Sequence, residues 1–338
     1  MTGSSYAFWL LLPLAAASAT ALLVILLRPL LQRYALARPN ARSSHRIPTP
    51  QGGGIAVIAA IIGVSGVALI TGYAQAPTAQ IWPVFAATAF LAAVGAFDDI
   101  HSIAVMPRLA LQALAVALVV AALPAELRVF PVLPWGFERA LILLGGLYFI
   151  NLVNFMDGID WMTVVEVVPV TLGLVIIGML GALPEHGIVV ALALCGAMLG
   201  FAPFNRPVAS LFLGDVGSLP IGLLLGWLLT LLAGQGHLAA ALLLPLYYLA
   251  DATLTLIRRA IQRDVLWEAH RTHFYQRATD RGATVMSIVG RVFLTNGVLV
   301  ALAILTVVVP SRTVAIGALA AGAMMVALLL YRFIRGRS

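Results

Sequence analysis

The sequence predicts an all-α polytopic membrane protein, and three observations carry that prediction. First, 62% of the 338 residues are hydrophobic and only 10% are charged, whereas soluble domains carry about 25% charged residues. A fold of this size cannot bury that much apolar surface in water, so the solvent is lipid. Second, the apolar runs have the length of membrane helices and lack the period-2 alternation of barrel strands. Third, every basic residue is an arginine, and the arginines gather in alternate loops.

The spans follow in order. Eleven fit, at about 7–27, 53–73, 80–97, 108–123, 137–153, 162–181, 187–202, 217–235, 238–257, 290–309 and 313–333. The count is ten if the short seventh, which ends near Pro203, does not cross. The first run, Tyr6 to Leu27, lacks a basic leading segment and has the length of a full span, so it reads as a retained helix rather than a cleaved signal. The spans form one domain over 1–338, with inner loops at about 28–52, 98–107, 154–161, 203–216 and 258–289. The inner side, counting Arg108 and Arg291 at the span ends beside these loops, holds 17 arginines, against three (Arg128, Arg139 and Arg312) on the other side. The positive-inside rule then puts the N-terminus outside and the C-terminus in the cytoplasm. Topology and anionic lipid account for the net charge of +7, so nucleic acid is not an expected partner. The lone Cys195 sits in an apolar run and reads as a packed thiol.

The acidic residues need a separate cause. All eight aspartates fall at or near the inner side, while Glu126, Glu138 and Glu185 are outer. Acidic residues contribute little to orientation, so this bias points to a polar site built from several helix ends. Five inner segments compose it. In "SSHRIPTPQGGG", 43–54, Pro48 and Pro50 exclude regular helix, and Gly52 to Gly54 permit close backbone approach to phosphate, or simply a rigid turn. Asp98 and Asp99 end the third span; on a helix they diverge by about 100° and can serve two ligands of one site. In "NLVNFMDGIDW", 151–161, Asn151, Asn154 and Asp157 repeat every third residue along one face, and Asp160 follows a Gly158 break. That stripe is either a ligand surface or interhelical glue.

The fourth segment, "FNRPVASLFLGDVGSLPIG" at 204–222, brackets Asp215 between Gly214 and Gly217 before the eighth span. A helix N-terminus suits anions, and a divalent cation would reconcile them with Asp215, which otherwise reads as a cap. The fifth, "WEAHRTHFYQRATDRG" at 267–282, offers His270, Arg271, His273, Gln276 and Arg277 as donors to phosphate or sugar. The two histidines lack a third soft ligand, so zinc is not expected. Carboxylates for a hard Mg²⁺, donors for phosphate and a membrane together suggest Mg²⁺-dependent phosphoryl transfer with a lipid as one reactant. The alternative is a transporter or flippase, which would want ionisable groups near midplane; Glu166 and Asp251 are the deepest acids.

The same segments, "SSHRIPTPQGGG", "FDDI", "NLVNFMDGID", "FNRPVASLFLGDVGS" and "HRTHFYQR", run from 43 to 277. Taken together they resemble the polyprenyl-phosphate N-acetylhexosamine-1-phosphate transferase superfamily, glycosyltransferase family 4. The last motif is most similar to the branch that initiates O-antigen and related surface glycans. The resemblance implies a multi-pass enzyme of the bacterial inner membrane, with a periplasmic N-terminus and a cytoplasmic active site. It implies transfer of an N-acetylhexosamine-1-phosphate from a UDP-sugar to undecaprenyl phosphate, with release of UMP. Mg²⁺ would be the cofactor and Mn²⁺ a substitute. By this likeness Asp98 deprotonates or orients the lipid phosphate beside Asp99, and Asp215, Asp99 and Asp157 are metal donors. His270 and His273 join Asp98, Asp99 and Asp215 as the catalytic set and contact the diphosphate. His45, Arg46, Asn151, Asn154, Asp157, Asp160, Asn205, Phe212, Gly214 and Arg271 are implied to bind substrate, with Asp160 facing uracil and Phe212 stacking on the base. Two departures stand out: Trp161 occupies a position where glycine is common, and no basic residue directly follows Asp99. Arg46 or Arg271 is the expected substitute cation.

Overall fold

A computed structural model of the chain describes residues 3–37, 48–72, 78–265 and 271–335. It is a helical bundle in which each span closes its own backbone hydrogen bonds, as lipid requires. The elements are α1 (Gly3–Tyr34), α2 (Gly54–Ile70), α3 (Thr78–His101), α4 (Val105–Ala122), α5 (Trp135–Met156), α6 (Met162–Ile177) and α7 (Glu185–Phe201). They continue with α8 (Asp215–Gly234), α9 (Leu238–Leu243), α10 (Leu246–Ile261), α11 (Phe274–Asp280), α12 (Val285–Val308) and α13 (Arg312–Arg335). Prolines mark several starts: Pro134, Pro184 and Pro245 directly precede α5, α7 and α10, where a missing amide costs nothing.

Among the described residues, eight helices, counting α6 with its continuation to Ala182, are long and apolar enough to cross a membrane, and α2 and α7 are shorter apolar helices. Most bounds lie within about four residues of the expected spans, but α1 runs on to Tyr34 and α12 starts earlier, at Val285. The expected span at 238–257 differs: it is broken at Leu244–Pro245 into α9 and α10. Pro245 cannot continue a helix, and α10 is amphipathic, burying Tyr247, Tyr248, Asp251, Thr255 and Arg259 on one side.

The helix α8 is the hub. Within its apolar stretch 89% of residues are buried, against 22% for α1 and 28% for α13, which face outward. Around it pack α3, α5 and α2, while α1 lies on α7 and α6 lies on α7 and α12. The approach is close at one end. A Cβ on Gly95 would meet the Asp215 carbonyl oxygen at 2.3 Å, and one on Gly54 would meet the Gly217 Cα at 2.3 Å. Glycine at these positions lets α3 and α2 touch the start of α8.

A small antiparallel pair, β1 (Leu36–Ala37) with β2 (Thr49–Pro50), then leads into the α2 start. The Phe212 amide donates to the Pro50 carbonyl at 2.8 Å, and the Gly53 and Gly54 amides donate to Phe212 and Leu213. The first and fourth polar segments of the sequence are thus stitched together by backbone hydrogen bonds.

Candidate active site

Four helix ends meet where α8 begins. The last turn of α3 carries Asp98 and Asp99, and each carboxylate has a different holder. Asp98 is nearly buried, with its side chain 6% exposed, and it forms an ion pair with Arg108 of α4 at 2.8 Å. It also accepts from the Ile103 amide. The α3–α4 turn makes this contact local: Ser102 adopts a left-handed φ of 48°, and α4 then folds Arg108 back over Asp98. Asp99 accepts from the amides of Asp215 at 3.0 Å and Val216 at 3.2 Å. Those amides are orphan donors of the α8 N-terminus, so Asp99 caps α8 from a neighbouring helix. Its own carbonyl accepts from Gln51 Nε2 at 2.8 Å.

Gly214 makes the Asp99 contact feasible. Its φ is +77°, and an added Cβ would lie 2.5 Å from Asp99 Oδ2. Asp215 in turn accepts from Asn154 of α5 at 2.7 Å, and the same amide reaches Ser218 at 2.9 Å. Asp157 caps the end of α5 and accepts from the Thr163 hydroxyl. Burial pushes its carboxyl up to about 6, the Thr163 hydrogen bond opposes this, and the charges of Asp99 and Asp160 add to it. The charges of Asp98 and Asp99 likewise bear on Asp215. One field of mutually repelling carboxylates therefore joins α3, the α5–α6 turn and α8.

Among the described residues, no three acidic, histidine or cysteine side chains form a closed metal cage. The donors present are hard carboxylate oxygens with lone pairs beyond those already engaged. That suits Mg²⁺, which takes one or two carboxylates and completes its shell with water and substrate phosphate.

The other expected site residues divide. Asn151 donates to Gln112 of α4 and to the Leu147 carbonyl, which ties α5 to α4. The stripe expected along one face therefore splits between two partners, because α5 sits between α4 and α8. Asp160 is buried and accepts from the Ala209 amide at 3.0 Å, bracing the loop before α8 instead of lying open to a base. Asn205 accepts from the Trp161 amide at 2.8 Å and donates to the Leu211 carbonyl at 3.1 Å. Phe212 is part of the backbone stitch to Pro50 and Gly53.

The histidine loop also differs from expectation. The His273 ring is 2% exposed and its Nδ1 lies 3.2 Å from the Asp251 carboxylate. It is an inner anchor of α11, and it stacks on Tyr275. Arg271 pairs with Asp280 at 3.0 Å. Arg108, not Arg271, supplies the cation beside Asp98; its place ten residues downstream becomes adjacent only through the turn. His45, Arg46 and His270 lie outside the described residues.

Sequence reasoning missed Arg108, Gln51, Thr163 and Ser218 as site-forming residues. Arg108 was visible as the next cation after the aspartates. Gln51 and Ser218 lie inside two of the quoted segments, and Thr163 carries no signal apart from its tertiary neighbours.

Comparison with known proteins agrees with this geometry. The family model described as glycosyl transferase family 4 matches residues 81–233, the stretch that carries Asp98, Asp99, Asn154, Asp157 and Asp215. That match and the relatives below support the polyprenyl-phosphate N-acetylhexosamine-1-phosphate transferase superfamily. The chain is 27% identical over 300 residues to a decaprenyl-phosphate N-acetylglucosaminephosphotransferase of Mycobacterium tuberculosis, covering 78% of this chain and 74% of the relative. It is 32% identical over 225 residues to a phospho-N-acetylmuramoyl-pentapeptide-transferase of Gluconacetobacter diazotrophicus, covering 56% of this chain and 60% of the relative. A third match, to the enzyme of that same name from Streptococcus pyogenes, reaches 40% over 96 residues and 28% of each chain.

Proposed function

We propose that the chain transfers an N-acetylhexosamine-1-phosphate from a UDP-sugar to undecaprenyl phosphate at the cytoplasmic face of a bacterial inner membrane. The product would be undecaprenyl-diphosphate-sugar, and the role would be the first membrane step of a surface glycan such as O-antigen. One observation supports the reading: Asp98, Asp99, Asp157 and Asp215 gather from separate helix ends around the start of α8. The arginine distribution supports a cytoplasmic location for that end.

The reaction forms one P–O bond and breaks another. A phosphate oxygen of the lipid attacks the sugar-bearing phosphorus, the bond to the UMP phosphate breaks, and UMP leaves with the electron pair. Such a transfer needs mainly positioning and charge neutralisation. Asp215, Asp157 and the remaining lone pairs of Asp99 would hold Mg²⁺, which when bound neutralises the diphosphate. Asp98 has its oxygens engaged by Arg108 and the Ile103 amide. That favours orienting the lipid phosphate over accepting a proton. The Arg108 guanidinium tempers the repulsion between Asp98 and that anion. Asn154 fixes Asp215, and Thr163 fixes Asp157.

A transporter or flippase finds no comparable support. Of the two deep acids, Glu166 accepts from Asn296 at 2.7 Å and Asp251 is enclosed by donors from α10 and α11. The test is to incubate purified protein with undecaprenyl phosphate, Mg²⁺ and a panel of UDP-amino sugars, and to measure UMP. Release with one sugar fixes the substrate. No release with any sugar, together with solute flux in proteoliposomes, would replace this reading with the transporter.

A further inference from the structure

We infer that Asp251 is a positioning residue: it fixes α11 against the turn after α5, and through Tyr275 it sets where Asp157 stands. The consequence for turnover rests on the transferase reading above; the structural link does not.

Asp251 is fully buried on α10. Its Oδ1 accepts from the Phe274 amide at 3.0 Å, from His273 Nδ1 at 3.2 Å and from the Thr255 hydroxyl at 3.4 Å. Its Oδ2 accepts from the Tyr247 hydroxyl at 3.2 Å and the Tyr275 amide at 3.3 Å. A buried carboxylate is costly unless hydrogen-bonded, and here five donors surround one. Tyr247 and Thr255, one helical turn to either side on α10, aim it. The Phe274 and Tyr275 amides are orphan donors of the first turn of α11. One side chain thereby joins α10 to the start of α11.

The connection runs on. The Tyr275 side chain is buried, and its hydroxyl donates to the Phe155 carbonyl in the last turn of α5 at 3.2 Å. A Cβ on Gly158 would lie 2.1 Å from that hydroxyl oxygen and 3.0 Å from Gln276 Nε2. The chain on both sides of Asp157 is therefore seated against α11. A cap that served only to start α11 would account for the two amide bonds. It would not account for the Tyr275 hydroxyl on Phe155 or for the approach that only a glycine at 158 permits.

The test uses the full chain in detergent, with hydrogen exchange and UMP release measured on the same samples. Asp251→Asn should raise amide exchange tenfold or more at 274–275 and also at 155–158. Tyr275→Phe should raise it at 155–158 alone, and the double variant should add nothing there. Both single variants should lower kcat and raise KM for the UDP-sugar, while melting stays near wild type for Tyr275→Phe. Unchanged exchange at 155–158 in Asp251→Asn would overturn the inference. If Asp251→Asn does not fold, Gly158→Ala decides. Its loss of protection at 155–158 should be partly recovered by adding Tyr275→Phe, which removes the clashing oxygen, and strict additivity would sink the link. If the wild-type protein releases no UMP, the proposed reaction falls, and the exchange measurements still decide the role of Asp251.

Discussion

Replacing Arg108 with glutamine probes the cation that the sequence seemed to lack. The substitution leaves Asp98 without its charged partner, and the Asp98 side chain is 6% exposed while that of Arg108 is 24% exposed. Breaking a buried pair from one side costs about 3–5 kcal/mol, because a desolvated charge is stranded. Water reaches part of Arg108, and the Ile103 amide still serves Asp98. The expected loss therefore lies lower, at about 2–3 kcal/mol. For a chain of this length that is a fall in melting temperature of roughly 2–6 °C. The assay is a double-mutant cycle in detergent with Arg108→Gln, Asp98→Asn and both together, read by melting and by UMP release. Asp98→Asn should cost less stability than Arg108→Gln, and the double variant should resemble Asp98→Asn. That gives a coupling near 2 kcal/mol, well above the roughly 0.5 kcal/mol scatter of independent sites. Turnover should fall at least tenfold in Arg108→Gln, because an unscreened Asp98 repels the lipid phosphate. Additive stabilities with wild-type turnover would refute the pairing as a functional feature.

Three further outcomes follow from the same geometry. Gly214→Ala should cut turnover at least tenfold and lower stability, since its Cβ would lie 2.5 Å from Asp99 Oδ2 at a φ of +77°; a fully active variant would remove Asp99 from the site. Asp215→Ala should abolish or flatten the Mg²⁺ dependence of UMP release, and an unchanged titration would contradict its role as a metal donor. Asp157 binds a proton more tightly folded than unfolded, because burial pushes its carboxyl from 3.8 up to about 6. Metal-free stability should therefore decline as pH rises through about 4 to 6, and stay lower above it. Asp157→Asn keeps the acceptor for Thr163, so it should be more stable than wild type at pH 8 and lose that pH dependence, while losing turnover. Equal pH–stability curves for the two proteins would show that Asp157 is not strained in this way.

Most of the fold was legible because lipid imposes a simple code. Apolar length and flanking arginines set the helices, and the structure ends most of them within a few residues of where hydropathy does, although α1 continues past Arg28 and Arg33 to Tyr34. The broken segment at Leu244–Pro245 was hidden by its composition: α9 and α10 are apolar enough to read as one span, and only Pro245 announced the break. In the site, Asp98, Asp99, Asn154, Asp157 and Asp215 were legible as polar groups that lipid would not tolerate without a use. What could not be read was which donor each carboxylate receives. Arg108 reaches Asp98 through the turn at Ser102, and Asp99 reaches the α8 amides through the glycine contact at Gly95. His273 looked like an exposed ligand because the sequence does not show that Asp251, on a different helix, faces it. Trp161 is instructive in the same way. It adopts a left-handed φ of 63°, which explains why glycine is favoured at such a position. Here the strain is held by Asn205 on its amide and by the Ala202 carbonyl on its indole N–H at 2.7 Å.

These donors do more than relieve repulsion. Asp98 is held by a guanidinium, Asp99 by two helix amides, Asp215 by an asparagine and Asp157 by a hydroxyl. Each holder fixes the direction of its carboxylate while leaving lone pairs unused. On the proposed reaction, such a site benefits when its ligands for a cation and two anionic substrates are already oriented, since little reorganisation remains for the moment of reaction. The holders come from α4, α5, α6 and the α8 backbone, so the carboxylates are positioned by the packing of the bundle rather than by flexible loops. That separates two kinds of damage. Removing a holder such as Asn154 should lower the rate and leave a magnesium requirement, whereas removing Asp215 should erase the requirement along with the rate. The two would look alike in a single-condition activity assay and differ in a metal titration.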